Sequence, residues 1–412
     1  MHEPSLSPLS IEGYADVIDP DQIRRLRSQA GALESQRVLH INSTATGGGV
    51  AELLRSIVPL SNDLGVDTDW LVMDATDEFF DVTKAMHNGL QGSGPPLTDA
   101  MKRTYRSVND ENAGSLPEGY TVVVVHDPQP LGMVEHIRRE LPDAAIVWRC
   151  HIDLTDPMSA YIAFISSFLD AIDRAIFSRS AYAAGVAVSA PISVIYPAID
   201  PLAEKNRDLE DGTVADELDR LDPLSFDAPV IAQVSRFDPW KDQFGTLEAF
   251  RLATTDIPDL QLAFAGGMAG DDPEGLAFYE RVAADAADEP DVHVLTNLSD
   301  RAVNVLQRCS DVVVQKSLRE GFGLVVAEAL WKRTPVIGSN VGGIPLQIVH
   351  GETGYLVERE DVAAVADHAV NLLRDDGCKR TLGDHAREHV RDKFLLPRQL
   401  VDLFDVFIEQ TQ

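Results

Sequence analysis

Short runs of β-branched, apolar residues alternate with helical stretches along nearly the whole chain, and the alternation occurs twice. Val122 to Val125 is an unbroken valine run, the pattern of a strand buried on both faces of a parallel sheet. In the first half Val38–Ser43, Trp70–Met73, Thr121–Asp127, Ala144–His151, Arg174–Ser178 and Ser193–Tyr196 read as strands. Helical periodicity at Val50–Leu64, Leu131–Leu141 and Ser159–Ile172 falls between several of them. Pro201 to Asp227 is acidic and poor in β-branched residues, and reads as a linker. Beyond it Pro229–Ser235, Gln261–Ala265, Val292–Leu295, Asp311–Gln315 and Val336–Gly338 read as strands. Phe244–Thr254, Glu274–Ala287, Arg301–Cys309 and Leu324–Lys332 carry the intervening helical pattern. The chain of 412 residues has room for two domains of about 150–200 residues each. The expectation is an α/β fold of two doubly wound Rossmann-like domains facing a central cleft, divided as residues 1–205 and 206–395. Ligands of such folds bind at the carboxyl ends of the strands, so the strand-to-helix loops carry most of the functional information.

Charge narrows the partners. Thirty-five basic residues against sixty-six acidic ones leave a net charge of −31. A surface of that sign repels phosphate backbones and anionic lipids, which argues against nucleic-acid and membrane-surface roles. Only eight of the basic residues are Lys. An acidic chain poor in Lys fits a protein that works in strong salt, where screening relieves the repulsion among its carboxylates. No apolar run reaches the roughly 18–20 residues of a spanning helix, and Met1 to Asp21 does not read as a secretory signal. Cys150, Cys309 and Cys378 are far apart and odd in number; they suggest neither a disulfide framework nor a zinc site, and a reducing cytoplasm is the simplest setting.

Four strand-end motifs carry chemistry. Ser317-Leu318-Arg319-Glu320-Gly321-Phe322-Gly323-Leu324-Val325-Val326-Ala327-Glu328 follows the strand at Asp311–Gln315. Gly321 and Gly323 permit a tight turn into a helix starting near Leu324. The amides of this turn suit an anion or sugar hydroxyls. Glu320 in the loop and Glu328 one turn into the helix are placed to accept from vicinal diols, at about 1.5–3 kcal/mol per charged hydrogen bond. The plainer alternative is a helix cap with one surface glutamate. Ser235-Arg236-Phe237-Asp238-Pro239-Trp240-Lys241 puts two permanent cations, Arg236 and Lys241, beside another strand end. Arg forks onto a phosphate and Lys supplies a point charge; the alternative is surface pairing with Asp238 and Asp242.

Thr46-Gly47-Gly48-Gly49-Val50 joins the first strand to the first helix and matches neither a dinucleotide fingerprint nor a Walker loop. Gly48 and Gly49 would let amides approach a phosphate, or serve only a tight turn. Trp148-Arg149-Cys150-His151-Ile152-Asp153 brings His151 to a strand end, as a ligand or as a structural histidine. Asp127, in His126-Asp127-Pro128-Gln129-Pro130, holds a similar position or caps a helix. Met86-His87-Asn88-Gly89-Leu90-Gln91-Gly92 reads as a polar loop. The glycine turns Gly342-Gly343-Ile344-Pro345 and Gly351-Glu352-Thr353-Gly354 read as structural.

Glu320 and Glu328 with seven residues between them, Arg236 with Lys241, and the glycine-rich turn after the first strand resemble the retaining glycosyltransferases of family 4, of GT-B fold. Within that family, several segments resemble the trehalose glycosyltransferring synthases: His40–Thr44 with Gly47–Ala51, Glu78–Phe80 with Val82–Lys84, His87-Asn88 with Leu90–Gly92, Val125–Pro130, Trp148–Leu154, Ser235–Lys241, Asp271–Gly275 and Arg319–Leu324. Many family members carry a Glu soon after the second glycine turn, where this chain has Leu346 and Gln347. Those synthases resemble this chain in sharing the Gln.

The resemblance implies that helix 396–412 packs back on the first domain. It implies that a nucleoside-diphosphate glucose, with ADP as the expected nucleotide, is joined reversibly to free glucose to give trehalose. Glu320 would bind the donor sugar's hydroxyls and Glu328 the ribose diol, with Gly321, Phe322, Gly323 and Leu324 lining the donor. Arg236 and Lys241 would neutralise the leaving diphosphate, with Gly48 and Gly49 approaching it. His151 would contact the donor glucose or the departing oxygen, and Asn88, Gln91 and Asp127 the acceptor. No Asp-x-Asp clamp lies near a strand end, so no obligatory metal or other cofactor is expected, and a cation such as Mg is left as an activator. The partners implied are a nucleotide sugar and glucose or trehalose; a homodimer is one option. A trehalose phosphorylase, a family 4 enzyme with another acceptor, and a non-catalytic nucleotide-sugar-binding regulator remain alternatives.

Overall fold

A computed structural model describes residues 1–46, 48–267 and 273–412, the side chains of Pro273 and Glu274 apart. It divides into two compact units: Met1–Pro197 with Leu396–Gln412, and Ala198–Leu395. The expected division after residue 205 thus falls at Pro197.

The first unit holds a parallel sheet of six strands: β1 (Arg37–Asn42), β2 (Asp67–Val72), β3 (Val122–His126), β4 (Ala145–Cys150), β5 (Arg174–Phe177) and β6 (Ile192–Val194). Their order in the sheet is β2-β1-β3-β4-β5-β6. The valines of β3 are fully buried, which only a sheet covered on both faces provides. The chain leaves β1 toward one edge and returns past it to β3, so the direction of winding reverses between those strands. Such a reversal opens a crevice at the strands' carboxyl ends, where α/β folds bind ligands. Helix Leu396–Thr411 belongs to this unit although it closes the chain. It lies along helix Pro20–Ala32, with Gln29 Nε2 donating to the Val401 carbonyl at 3.1 Å and to Asp405 at 2.6 Å. Its own residues Leu400, Phe404 and Phe407 are buried, each contributing about 1.5–3 kcal/mol on transfer from water.

The second unit repeats the plan with β7 (Val230–Val234), β8 (Gln261–Gly266), β9 (Val292–Thr296), β10 (Val312–Gln315), β11 (Val336–Ser339) and β12 (Tyr355–Val357). All pair in parallel, in the order β12-β11-β10-β7-β8-β9. Winding reverses between β7 and β10, which places the loops after Val234 and Gln315 at the ligand-binding position. The three-residue edge strand β12 is absent from the sequence expectation; Gly354-Tyr355-Leu356 gives too short a pattern beside the turn that precedes it.

Two expectations need correction. Residues 201–227 are not a linker: they carry helix Asp211–Asp219 and bury Asn206, Leu221 and Leu224 within the second unit. Asn304 Nδ2 donates to the carbonyls of Glu204 at 2.9 Å and Arg207 at 2.8 Å, and Lys332 Nζ to Asn206 Oδ1 at 3.0 Å. Side chains distant in sequence thus satisfy a backbone whose own pattern is weak. Residues 86–92 are not a loop throughout: helix Asp77–Leu90, capped by Thr76, runs through Asn88, and Gln91 ends it. Gly89 lets Tyr161 pack on this helix, since a Cβ there would lie 2.3 Å from the ring.

Candidate active site

The loops after β7 and β10 meet at an ion pair. Lys241 Nζ lies 2.6 Å from Glu320 Oε2, with the two side chains 18% and 9% exposed. The same oxygen accepts from Ser317 Oγ at 3.1 Å and Gln315 Nε2 at 3.2 Å. Gln315 also donates to Ser317 Oγ at 3.0 Å. The main chain locks the two loops further. Leu318 N–H donates to the Trp240 carbonyl at 2.8 Å across the loops, and the Gln233 side chain braces the first of them, its Nε2 donating to the Lys241 carbonyl at 2.7 Å. Charged donors hold a carboxylate about twice as strongly as neutral ones, so Glu320 is a fixed acceptor before any ligand arrives. Asp242, the alternative partner for Lys241, instead takes the buried ammonium of Lys316. Arg236 is different: it is 62% exposed, with Asp238 3.6 Å away.

Glycines shape the turn that follows Glu320. Gly323 adopts φ +78° as the residue preceding helix Leu324–Trp331. Gly342 adopts φ +55°, and a Cβ there would fall 1.8 Å from the Glu320 carbonyl oxygen. Gly343 N–H donates to the Gly321 carbonyl at 2.8 Å. Buried Gln347 donates to the Phe322 carbonyl at 2.6 Å and the Gly323 carbonyl at 3.3 Å. The second glycine turn is therefore the seat of the first. A glutamate at 347 lacks the N–H groups that make these bonds. The Phe322 side chain is buried against Phe394, with ring centroids 5.7 Å apart.

Glu328 is 2% exposed. It accepts from Gln307 Nε2 at 3.3 Å, and Lys205 Nζ stands 3.7 Å from its other oxygen. Lys332 Nζ completes this network through Gln307 Oε1 at 2.9 Å and the Glu328 carbonyl at 3.1 Å. Lys205, Gln307 and Lys332 carry no motif signature. The signal for Gln315 and Ser317 was readable as an abrupt polar triplet, Gln315-Lys316-Ser317, closing the valine strand.

In the first unit the carboxyl ends of β3 and β4 bring His151 and Asp127 together. The His151 N–H donates to Asp127 Oδ1 at 2.7 Å. Asp127 has φ +62°, a region costly for a non-glycine residue and favoured at functional sites. It does not cap the following short helix Pro130–Met133, which Gln129 precedes. Burial raises its carboxyl to about 7, opposed by the His151 amide and Arg149. His151 Nε2 lies 3.1 Å from His126 Nδ1. Asn88 and Gln91 are half-buried at the end of their helix, joined to the segment after His151 by the Met158 N–H, which donates to the Gly89 carbonyl at 2.9 Å. Gly48 precedes helix Gly49–Asp63 in extended backbone, with open space where a Cβ would stand. Gly47, Asp271 and Asp272 lie outside the described residues. Among the described residues no group of three or more His, Cys, Asp or Glu side chains is placed to hold a metal ion, and no helix is long and apolar enough to cross a membrane.

Comparison with known proteins shows which family the chain is similar to. The family model "Trehalose synthase, N-terminal domain" matches residues 40–184, and "Glycosyl transferases group 1" matches residues 217–389. A trehalose synthase of Thermococcus litoralis is 39% identical over 401 residues, covering 96% of each chain. A trehalose phosphorylase of Pleurotus pulmonarius is 30% identical over 439 residues, covering 93% of this chain and 58% of its own. The sucrose-phosphate synthase structure from Thermosynechococcus elongatus superposes with a TM-score of 0.68 at 19% identity, covering 91% of this chain and 98% of that one. The chain belongs to the trehalose synthase family of GT-B glycosyltransferases, and is a glycosyltransferring enzyme.

Proposed function

We propose that this enzyme transfers glucose from a nucleoside-diphosphate glucose, ADP-glucose first, to free glucose with retention of configuration, forming trehalose reversibly. The observation that carries the proposal is the Lys241–Glu320 pair, fixed by Gln315 and Ser317 at the winding reversal of the second unit. A sugar diphosphate needs a cation for its phosphates and an acceptor for its hydroxyls, and this pair presents both from one rigid cluster. Glu328 is assigned to the ribose diol, and the turn at Gly321–Leu324 to the donor through its backbone. Arg236 adds an exposed second cation. In the first unit His151 is assigned to the reacting glucose, Gly48 and Gly49 to the phosphates, and Asp127, Asn88 and Gln91 to the acceptor.

Cleavage of the anomeric C–O bond leaves the electron pair on the diphosphate. Lys241 and Arg236 bind that product more strongly than the intact donor, which lowers the barrier. Losing one such fixed donor costs about 2.7–4 kcal/mol. The acceptor hydroxyl oxygen forms the new bond on the face the diphosphate leaves, and its proton passes to the departing phosphoryl oxygen. No divalent ion is required in this scheme.

The test is a screen of ADP-, UDP- and GDP-glucose with glucose, with sugar products identified. Trehalose from a nucleotide donor is the expected outcome. Trehalose only from glucose 1-phosphate, with release of inorganic phosphate, would reassign the enzyme as a phosphorylase, the reading that the Pleurotus relative keeps in view.

A further inference from the structure

Three histidines from neighbouring strands form a continuous chain in the first unit. His40 lies within β1, His126 ends β3, and His151 follows β4. His40 Nδ1 is 2.9 Å from His126 Nε2, and His126 Nδ1 is 3.1 Å from His151 Nε2. The last two rings are stacked, 14° from parallel with centroids 5.4 Å apart. His40 and His126 are buried, and His151 half-buried. His40 Nε2 is buried without a hydrogen-bond partner among the described residues; the Phe407 ring is 6.3 Å away, centroid to centroid.

Burial pushes His40 down to about 3 and holds His126 and His151 well below their ordinary value. All three rings are therefore neutral near pH 7, and each carries a single N–H. Each ring-to-ring bond uses one N–H and one lone pair, so the protons of the chain must all point the same way. Pointing inward would leave an N–H on His40 Nε2 with no acceptor among the described residues. Pointing outward leaves only a lone pair there, the deficit that folded proteins tolerate more readily. The outward direction makes His40 Nδ1–H donate to His126, and His126 Nδ1–H donate to His151 Nε2.

We infer that His40 and His126 are positioning residues that fix His151 as its Nδ1–H tautomer, so that His151 meets the reacting sugar as a hydrogen-bond donor. Its partner is an oxygen with lone pairs: a sugar hydroxyl or a phosphoryl oxygen. Asp127 assists by holding the His151 backbone, while the histidine chain sets the proton. The inference rests on the glucosyl-transfer reading for the identity of that oxygen, but not for the tautomer.

Nitrogen-15 NMR of the intact histidine-labelled protein reads the tautomer directly, with His151→Gln identifying the signals of His151. The Nδ1–H form in wild type is the expected result, and the Nε2–H form overturns the inference without any further variant. His126→Leu removes the donor to His151 and should release the ring to the Nε2–H form, with kcat down at least tenfold. His126→Gln restores both bonds, its amide N–H donating to His151 and its carbonyl oxygen accepting from His40. It should return the Nδ1–H tautomer and bring kcat to within about threefold of wild type. A His151 that stays Nδ1–H in His126→Leu would also overturn the inference. Absence of transfer from every nucleotide donor would instead overturn the functional reading, and the NMR result then decides the positioning role alone.

Discussion

Lys241 Nζ and Glu320 Oε2, from loops after different strands, stand 2.6 Å apart and join the two halves of the second unit's winding reversal. Removing the ammonium takes from Glu320 its charged donor at 2.6 Å, which the neutral donors Gln315 and Ser317 match poorly for a nearly buried carboxylate. Lys241→Ala should therefore lower kcat at least tenfold, about 1.4 kcal/mol in the barrier. Steady-state kinetics beside a far-ultraviolet circular dichroism spectrum checks this; unchanged turnover in a folded variant removes Lys241 from the reaction.

Arg236 offers the complementary case. It is mostly exposed and its contact with Asp238 is long, so its loss should change stability by no more than about 0.5 kcal/mol. Under the proposed role, in which the guanidinium acts on the departing diphosphate rather than on the fold, turnover should still fall at least tenfold. Urea melts and kinetics on Arg236→Ala separate the two. A stability loss that matched the activity loss would mark it as structural.

Gly342 and Gly48 should respond oppositely to alanine. At Gly342 a methyl group would collide with the Glu320 backbone, and the backbone is left-handed; strain of this kind costs about 1–3 kcal/mol. Gly342→Ala should lower the melting temperature and weaken donor binding together. Gly48 is extended, with open space around it, so Gly48→Ala should leave the melt within a degree or two. If the position faces phosphate, its KM for donor rises at least threefold. Calorimetry and donor titrations on both variants provide the measurement, and equal melts would refute the contrast.

Both sheets were legible because buried parallel strands are written locally, as in Val122–Val125 and Val312–Val314. The loop positions of Arg236, Lys241 and Glu320 were legible because these residues follow β7 and β10 closely, and that of Glu328 because the glycine turn announces the helix that carries it. What escaped was satisfied at long range. Lys205 on Glu328, Gln347 on the Phe322 carbonyl and His126 beneath His151 each depend on partners that only the fold brings near. Residues 201–227 read as a linker for the same reason: Asn304 and Lys332, roughly a hundred residues on, supply the bonds that order them.

The charge of −31 carries its own expectation. The Debye length shrinks from about 10 Å at 0.1 M salt to about 3 Å at 1 M, which screens repulsion between surface carboxylates. The melting temperature should rise from low to multimolar KCl. A flat series would disconnect the acidic surface from salt adaptation.

The buried histidines predict how stability follows pH. In the unfolded chain each takes up a proton near pH 6.5, while burial denies it one in the folded protein, down to about pH 3 for His40. Their contribution is complete above pH 6.5 and is lost as pH falls below it. Asp127 works the other way. Its folded value of about 7 against an unfolded value near 3.8 means that the folded protein keeps a proton the unfolded chain releases. That contribution is full below about pH 4 and fades as pH rises to about 7. Three imidazoles against one carboxyl leave the unfolded chain with the greater proton uptake in the window below 6.5, so acid destabilises this region. Each proton is worth about 1.4 kcal/mol per pH unit at full difference. His126→Gln removes one of the three, so its unfolding free energy should fall less steeply between pH 6.5 and 5 than that of wild type, by a slope approaching about 1.4 kcal/mol per unit. Urea denaturation at half-unit steps, with the m-value held constant, measures both slopes; parallel lines would mean that His126 binds protons as readily in the folded protein as in the open chain.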